Sequence, residues 1–134
     1  NNLTHLTFGY CFNQPIILPD SLTHLTFGDE FNQSITLPDS LIRLTFGRRF
    51  NQPVHLIDSN TGKMFENLEY VEFSSMFNSE LQIGTIEDKL KNITIILNYK
   101  NIGKIFPIEK QYNFNNYYII IDVNTKNKIN IISI

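Results

Sequence analysis

The amino-acid sequence predicts a mainly β solenoid of about five to six rungs, with a parallel sheet and a C-terminal β cap. Two observations lead to this prediction. A unit of 19 residues occurs three times in tandem, over residues 3–21, 22–40 and 41–59. Within each unit, apolar residues alternate with polar ones over stretches as short as a β-strand. Tandem similarity at a fixed period is typical of chains in which each unit buries its apolar face against its neighbours.

Each unit opens with a predicted strand that has one buried face. In the first unit, Leu6 and Phe8 alternate with His5 and Thr7, which is the period of a half-buried strand. We expect the equivalent stretches to pair in parallel, in chain order. They are residues 3–8, 22–27, 41–46, 68–73 and 90–95. A glycine follows the first three strands, at positions 9, 28 and 47, and is expected to supply positive φ or a tight bend.

The second half of each unit predicts a shorter extended segment that ends in a turn. Alternating apolar residues recur there, as Ile16 and Leu18 in the first unit. The equivalents in later units are Ile35 and Leu37, Val54 and Leu56, and Leu81 and Ile83. The letters Pro-Asp-Ser or Ile-Asp-Ser then close the unit, and Asp and Ser favour turns because they bond nearby backbone groups.

The fourth unit is degenerate and follows an insertion. The step into its first strand, at Leu68, is 27 residues rather than 19, which places eight extra residues near positions 59–66. Gly62 is expected to form a turn in this insertion. Met64 and Phe65 are expected to be buried anchors, because they are its large apolar side chains.

Two apolar stretches near the C-terminus, residues 117–123 and 129–134, flank a polar loop of five residues. This pattern predicts a β-hairpin. Alternatively, the first stretch is a sixth rung, because Tyr118, Ile121 and Val123 repeat the spacing of the strand positions. In both cases we expect this segment to close the solenoid. The predicted organisation is a repeat solenoid over residues 1–108 and capping strands of the same domain over residues 109–134.

Composition and charge narrow the class of partner. The 134 residues carry 11 basic and 13 acidic side chains, and the net charge of −2 does not favour nucleic acid as a partner. The apolar runs are of strand length, so no membrane span is expected. Cys11 is the one cysteine, which fits a reducing, intracellular and cytoplasmic setting. Because the chain begins in mid-pattern, we expect its natural N-terminus to lie upstream. We also expect the protein to be a monomer.

The repeated phrase Phe-Asn-Gln-Pro-Ile, followed by Leu-Pro-Asp-Ser-Leu-Thr-His-Leu-Thr-Phe-Gly, resembles the FNIP repeat. The resemblance is close over residues 3–59 and looser over residues 68–97. This family is similar to leucine-rich repeats and is abundant in social amoebae and in giant viruses that infect amoebae. Many members carry an upstream F-box, which docks a ubiquitin-ligase scaffold. This chain shows no F-box, and its period is shorter than is usual in the family.

The resemblance implies a protein–protein interaction module that recognises substrates for an F-box ubiquitin-ligase adaptor. The partner would be another protein, such as a ubiquitin-ligase substrate, in the host cytoplasm if the source is viral. The family offers no catalytic residues to carry over, so we expect no enzyme activity and no cofactor. A purely structural role is a further alternative.

A carbohydrate-active β-solenoid enzyme is the alternative from another functional class. Asp20, Asp39 and Asp58 motivate it, because paired carboxylates perform glycoside hydrolysis. The same aspartate recurs in the closing turn of each unit, however, and a residue that every rung requires does not define a unique active site. The sequence therefore predicts no catalytic residues.

The exposed face of the predicted strands is the candidate binding surface, because the core does not dictate its side chains. One column is expected to contain His5, His24, Arg43, Tyr70 and Asn92, and the next Thr7, Thr26, Thr45, Glu72 and Thr94. Partner binding is assigned to the first four residues of each column. Arg and Tyr are enriched at interface hot spots, which favours Arg43 and Tyr70. His5 and His24 lack a third ligand, so no metal site is expected.

Two further sets of repeated residues have a structural interpretation. A ladder in which each amide satisfies backbone groups of the neighbouring rung is predicted for Asn13, Asn32, Asn51 and Asn78. Two buried aromatic columns are predicted for Phe8, Phe27, Phe46 and Phe73, and for Phe12, Phe31, Phe50 and Phe77.

Overall fold

A computed structural model of the chain describes residues 2–74, 76–82, 93–96, 117–122 and 128–133. These residues form nine strands and no helix. The strands are β1 (His5–Thr7), β2 (His24–Thr26), β3 (Arg43–Thr45), β4 (Val54–His55), β5 (Tyr70–Glu72), β6 (Leu81–Gln82), β7 (Ile93–Ile96), β8 (Tyr117–Asp122) and β9 (Lys128–Ser133). No helix within this part of the chain is long and apolar enough to cross a membrane.

The larger sheet has seven strands in the order β1-β2-β3-β5-β7-β9-β8. Its first five strands pair in parallel, which confirms the predicted order and direction. The strands are shorter than the apolar stretches that predicted them. Even so, the ladder extends one residue further, because the N–H groups of Phe8, Phe27 and Phe46 donate to carbonyl oxygens of the next rung at 2.9 Å.

The register of β7 differs from the predicted one by two residues. The sequence spacing placed Ile93 opposite Val71, but Ile95 lies there and is fully buried. Because side chains alternate across a strand, a shift of two residues keeps the same face inward, and the apolar pattern alone does not distinguish the two registers. Thr94 therefore lies opposite Tyr70, where Asn92 was predicted. Asn92 itself lies outside the described residues.

Two strands near the C-terminus form the predicted hairpin. β8 pairs antiparallel with β9, and β9 pairs antiparallel with β7. The alternative of a parallel sixth rung is wrong, because β8 does not pair with β7 and runs antiparallel to its neighbour. The predicted boundary between residues 108 and 109 lies outside the described residues.

A smaller sheet forms in the second half of two units. β4 pairs in parallel with β6, with Val54 opposite Leu81. Four such extended segments were predicted, and in the first two units residues 16–18 and 35–37 belong to no strand. Their apolar side chains nevertheless enter the core, since Leu18 and Leu37 are buried. Apolar burial therefore persists there without the backbone ladder.

The insertion folds into a hairpin-like loop. Gly62 has φ of 71°, and its N–H donates to the carbonyl oxygen of Asp58 at 2.8 Å. Met64 and Phe65 are buried. These observations confirm the predicted turn and both predicted anchors.

The core contains the two aromatic columns. Rings of consecutive rungs stack, with centroids 5.7 Å apart for Phe27 and Phe46 and 6.0 Å apart for Phe31 and Phe50. Within a rung the columns touch, since the Phe27 and Phe31 centroids are 4.0 Å apart. Burial is complete only from the second rung onward. Phe8 and Phe12 of the first rung are half-buried, and Leu3 is 39% exposed.

The strand-ending glycines serve close stacking rather than positive φ. Among the described glycines, only Gly62 has a positive φ, so the first of the two expected roles, positive φ, does not hold for Gly9, Gly28 and Gly47. A Cβ at Gly28 would overlap the carbonyl oxygen of Gly9 and lie 2.9 Å from the Cα of Tyr10. A Cβ at Gly47 would meet the Gly28 carbonyl in the same way. Glycine is required there because the backbones of adjacent rungs approach too closely for a side chain.

Candidate functional site

The outward face of β1, β2, β3 and β5 carries all eight residues predicted to bind a partner. Alternation along each strand separates them from the core, because the middle residues Leu25, Leu44 and Val71 are buried. The parallel register aligns the flanking residues in two columns. We call this surface the strand face; its members are His5, Thr7, His24, Thr26, Arg43, Thr45, Tyr70 and Glu72.

Three of these side chains form a connected group. The guanidinium carbon of Arg43 lies 4.1 Å from the centre of the Tyr70 ring, which is a cation–π contact. The Tyr70 hydroxyl donates a hydrogen bond of 2.6 Å to Oε1 of Glu72. Arg43 is exposed, while Tyr70 and Glu72 are half-buried. The ring therefore supports a solvent-facing cation, and its hydroxyl is held by a neighbouring carboxylate.

The environment of Tyr70 strongly disfavours its ionised form. Burial, followed by the hydrogen bond and the negative charge of Glu72, raises the pKa of the Tyr70 hydroxyl to about 12. The positive charge of Arg43 acts in the opposite direction. The hydroxyl consequently remains a proton donor throughout the physiological range.

The two histidines of the strand face stack on each other. Their ring centroids are 4.1 Å apart and the ring planes differ by 9°. Each Nδ1 lies 2.9 Å from the hydroxyl of the preceding threonine, Thr4 or Thr23. The Thr23 hydroxyl also donates to the Thr4 carbonyl oxygen at 3.1 Å. Because a hydroxyl has one proton, Thr23 must accept from His24, so Nδ1 of His24 carries the proton and Nε2 is an acceptor.

Protonation of His24 is disfavoured, and no metal site forms around it. Partial burial, followed by the charges of His5 and Arg43, lowers the pKa of His24, whereas Glu69 raises it by less. Within the described ranges, no group of three His, Cys, Asp or Glu side chains could hold a metal.

The second column of the strand face contains Thr7, Thr26, Thr45 and Glu72. Thr26 and Thr45 are half-buried, and their carbonyl oxygens accept the ladder bonds from the phenylalanines of the preceding rung. Thr7 is exposed at the edge strand. In β7 this column continues at Ile96, not at Thr94 as the sequence spacing suggested. Threonine therefore occupies this column only on β1, β2 and β3, and Glu72 and Ile96 follow on β5 and β7.

The repeated asparagines form a side-chain ladder on the surface. Oδ1 of Asn13 accepts the backbone N–H of Asn32 at 2.9 Å, and Asn32 accepts that of Asn51 in the same way. The last bond, from the N–H of Asn78 to Asn51, is 2.7 Å. These bonds confirm the predicted ladder, and all four asparagines are exposed. Short polar side chains reach the next rung from outside the aromatic columns.

Sequence reasoning missed the glutamines that brace this ladder. The Nε2 group of Gln33 donates to Oδ1 of Asn13 at 3.1 Å, and Gln52 repeats the bond to Asn32. In the fourth unit, Ser79 replaces the glutamine and its hydroxyl donates to the carbonyl oxygen of Asn51 at 2.7 Å. The signal was the Asn-Gln pair, which recurs at the same period in the first three units.

These features define a repeat protein built on parallel β-sheets, with a polar strand face and a surface ladder of amides. The family model described as FNIP Repeat matches the chain in three overlapping stretches, residues 1–30, 12–36 and 31–59. Over residues 1–59 the chain is therefore similar to FNIP repeats. Comparison of the chain with curated proteins and with solved structures gave no match.

Proposed function

We propose that this chain is a protein-interaction module and that its partner docks on the strand face. The observation that carries the proposal is the Arg43–Tyr70–Glu72 group, in which a ring holds the guanidinium at 4.1 Å and a 2.6 Å bond holds the ring hydroxyl. Side chains fixed before binding lose little entropy on association, which favours affinity. Arginine and tyrosine are also enriched at the residues that dominate binding energy.

The charge of Arg43 supports a polar partner surface. In the part of the chain that the structure describes, the ion pair is Arg49 with Glu30 at 3.8 Å, and Arg43 has no carboxylate within that reach. An exposed guanidinium stacked on a ring keeps its in-plane N–H donors available for a carboxylate of the partner. The adjacent Nε2 of His24 offers an acceptor beside them.

The proposed cellular role rests on the similarity of residues 1–59 to FNIP repeats. We propose that it recognises substrates for an F-box ubiquitin-ligase adaptor, as a monomer in the cytoplasm, and that it binds rather than catalyses. The support is the match of residues 1–59 to FNIP repeats. We also propose a solenoid whose C-terminal end is covered by the β8–β9 hairpin. Co-purification of the full-length protein with a ubiquitin-ligase scaffold tests the adaptor role, and its absence would contradict that role alone.

A quantitative pull-down tests the strand face. The immobilised chain, as wild type or as Arg43→Ala, Tyr70→Ala or Arg49→Ala, captures proteins from amoebal lysate, and the recovered partner is quantified by mass spectrometry. Arg49→Ala is the matched control, because Arg49 is an exposed arginine that pairs with Glu30 away from the strand face. We expect Arg43→Ala and Tyr70→Ala each to weaken capture by at least about 1 kcal/mol.

Thermal melts of the same variants separate loss of binding from loss of fold. Unchanged capture by both strand-face variants would contradict the proposed site. A further variant, Lys63→Ala, probes the insertion loop, where Lys63 is exposed. Loss of capture in Lys63→Ala alone would move the binding site to that loop.

A further inference from the structure

A groove lies in the second half of the units, away from the strand face. It has a volume of about 630 Å³, which is within the range of ligand-binding clefts. One wall is formed by residues 34–39 of the second unit, and the other by residues 53–60 of the third unit and its closing turn. Leu37, Pro38 and Phe65 line it and are buried. The groove therefore separates two segments that occupy equivalent positions in consecutive units.

The wall formed by β4 is an open strand edge. The N–H groups of Val54 and Leu56 donate to the carbonyl oxygens of Glu80 and Gln82 at 2.9 and 2.8 Å. In a parallel pair, alternate residues direct their backbone groups to opposite sides. The N–H and C=O of His55 consequently point away from β6, and they form no hydrogen bond with other described residues.

The opposite wall is also unpaired. Residues 35–37 make no backbone hydrogen bond among the residues that the structure describes, although Leu37 is buried. The strand ladder that joins the third and fourth units is thus missing between the second and third. The two segments line the same space of about 630 Å³.

The charges along the groove are all of one sign. Asp20, Asp39 and Asp58 line it, and no lysine or arginine does among the residues that the structure describes. These aspartates occupy the same turn in consecutive units, so they form a row along the stacking direction. Asp58 uses one oxygen to accept the N–H of Asn60 at 2.9 Å. A row of carboxylates beside an apolar floor complements cationic side chains with aliphatic stems.

We propose that this groove binds an extended, basic peptide segment, which adds to the open edge of β4. Backbone groups of the peptide pair with the N–H and C=O of His55, as in strand addition to an exposed sheet edge. Alternate side chains then point to opposite sides. Small apolar side chains contact Leu37 and Phe65 on one side, and lysine or arginine side chains face Asp39 and Asp58 on the other.

A synthetic probe tests the proposal. Fluorescence anisotropy measures binding of a labelled peptide, Lys-Val-Lys-Val-Lys with blocked ends, to the full chain. We compare it with the same peptide methylated at its central backbone nitrogens and with Glu-Val-Glu-Val-Glu. The basic peptide is expected to bind at least about tenfold more tightly than either, because the first control loses backbone donors and the second has the wrong charge.

Variants of the groove identify the contacts. Asp39→Asn combined with Asp58→Asn removes two charges, while the amide introduced by Asp58→Asn keeps an oxygen that can accept the N–H of Asn60. This double variant should weaken binding by about tenfold. Asp29→Asn is the matched control, because Asp29 does not line the groove. His55→Pro removes the edge N–H without breaking the bonds to β6 and should weaken binding, whereas His55→Thr should not.

The outcomes are decisive. Absence of binding, equal binding of the methylated peptide, or unchanged binding by the double aspartate variant would each overturn the proposal. If His55→Pro fails to fold by thermal melt, the methylated peptide still tests the backbone contacts. Arg43→Ala should bind the basic peptide as wild type does, so failure of the strand face and failure of the groove are distinguishable.

Discussion

Arg43 lies over the ring of Tyr70, with its guanidinium carbon 4.1 Å from the ring centre. The two residues occupy directly opposed positions on β3 and β5, so the parallel register brings them together. The same ring carries a hydroxyl that donates to Glu72. A cation, a ring and a carboxylate are therefore coupled on the strand face, and a change at one of them should be measurable at another.

The Tyr70–Glu72 hydrogen bond should be visible in alkaline titration. The pKa of Tyr70 is raised to about 12, by burial first and then by Glu72. We expect Glu72→Gln to lower this pKa toward the ordinary tyrosine value, because the variant removes a negative charge. Ultraviolet difference titration against Tyr70→Phe isolates the signal of this one residue. An unchanged pKa in Glu72→Gln would contradict the hydrogen bond.

The same shift predicts how stability depends on alkaline pH. In the unfolded chain Tyr70 ionises near pH 10, whereas the folded chain resists ionisation until about pH 12. The raised pKa therefore contributes stability below about pH 10 that is lost as the pH rises through the folded value. The free energy of unfolding, measured in urea, should fall more steeply with pH over that window for wild type than for Tyr70→Phe.

His24 should titrate below the ordinary histidine range. Its pKa is lowered by partial burial and by the charges of His5 and Arg43. Removing one positive neighbour, in His5→Gln or Arg43→Ala, should raise the pKa, as measured by NMR titration of the ring protons. Because the folded pKa is depressed, the associated stability is present above the unfolded value and lost as the pH falls through the folded value. If the pKa of His24 rises in neither variant, the charge coupling is contradicted.

Glycine at position 28 should be essential for stacking. Gly28→Ala places a Cβ against the carbonyl group of Gly9, and we expect it to lower the free energy of unfolding by about 1–3 kcal/mol. Gly9→Ala is the matched control, because nothing lies within 4 Å of its Cβ position. That variant should be neutral or slightly stabilising, since alanine restricts the unfolded chain. Urea denaturation measures both, and equal midpoints would contradict the close approach.

The aromatic column should contribute more to stability than the amide ladder. Phe31 is fully buried, so Phe31→Ala should cost about 3–5 kcal/mol through cavity formation. Asn32 accepts the N–H of Asn51 but is exposed, so Asn32→Ala should cost only about 0.5–1.5 kcal/mol. Asn60→Ala, in the insertion loop, is the control with little expected effect. Similar losses for Phe31→Ala and Asn32→Ala in chemical denaturation would contradict this ranking.

The repeated unit by itself determined much of the architecture. Leu25, Leu44 and Val71 occupy the same position in successive units, and because a strand buries alternate residues, they identify the core face and the parallel order. The same periodicity predicted the phenylalanine columns and the asparagine ladder. Local turn chemistry also predicted the bend at Gly62, where a positive φ excludes most other residues.

Only the tertiary structure decided features that depend on how rungs meet. An apolar pattern with a period of two does not specify the register of Ile95 against Val71, because a shift by two residues preserves the buried face. The role of Gly28 depends on the approach of the Gly9 carbonyl, and the open edge at His55 depends on which neighbouring rung provides hydrogen bonds. Distances between rungs arise from packing of the whole stack, and no single unit of the sequence encodes them.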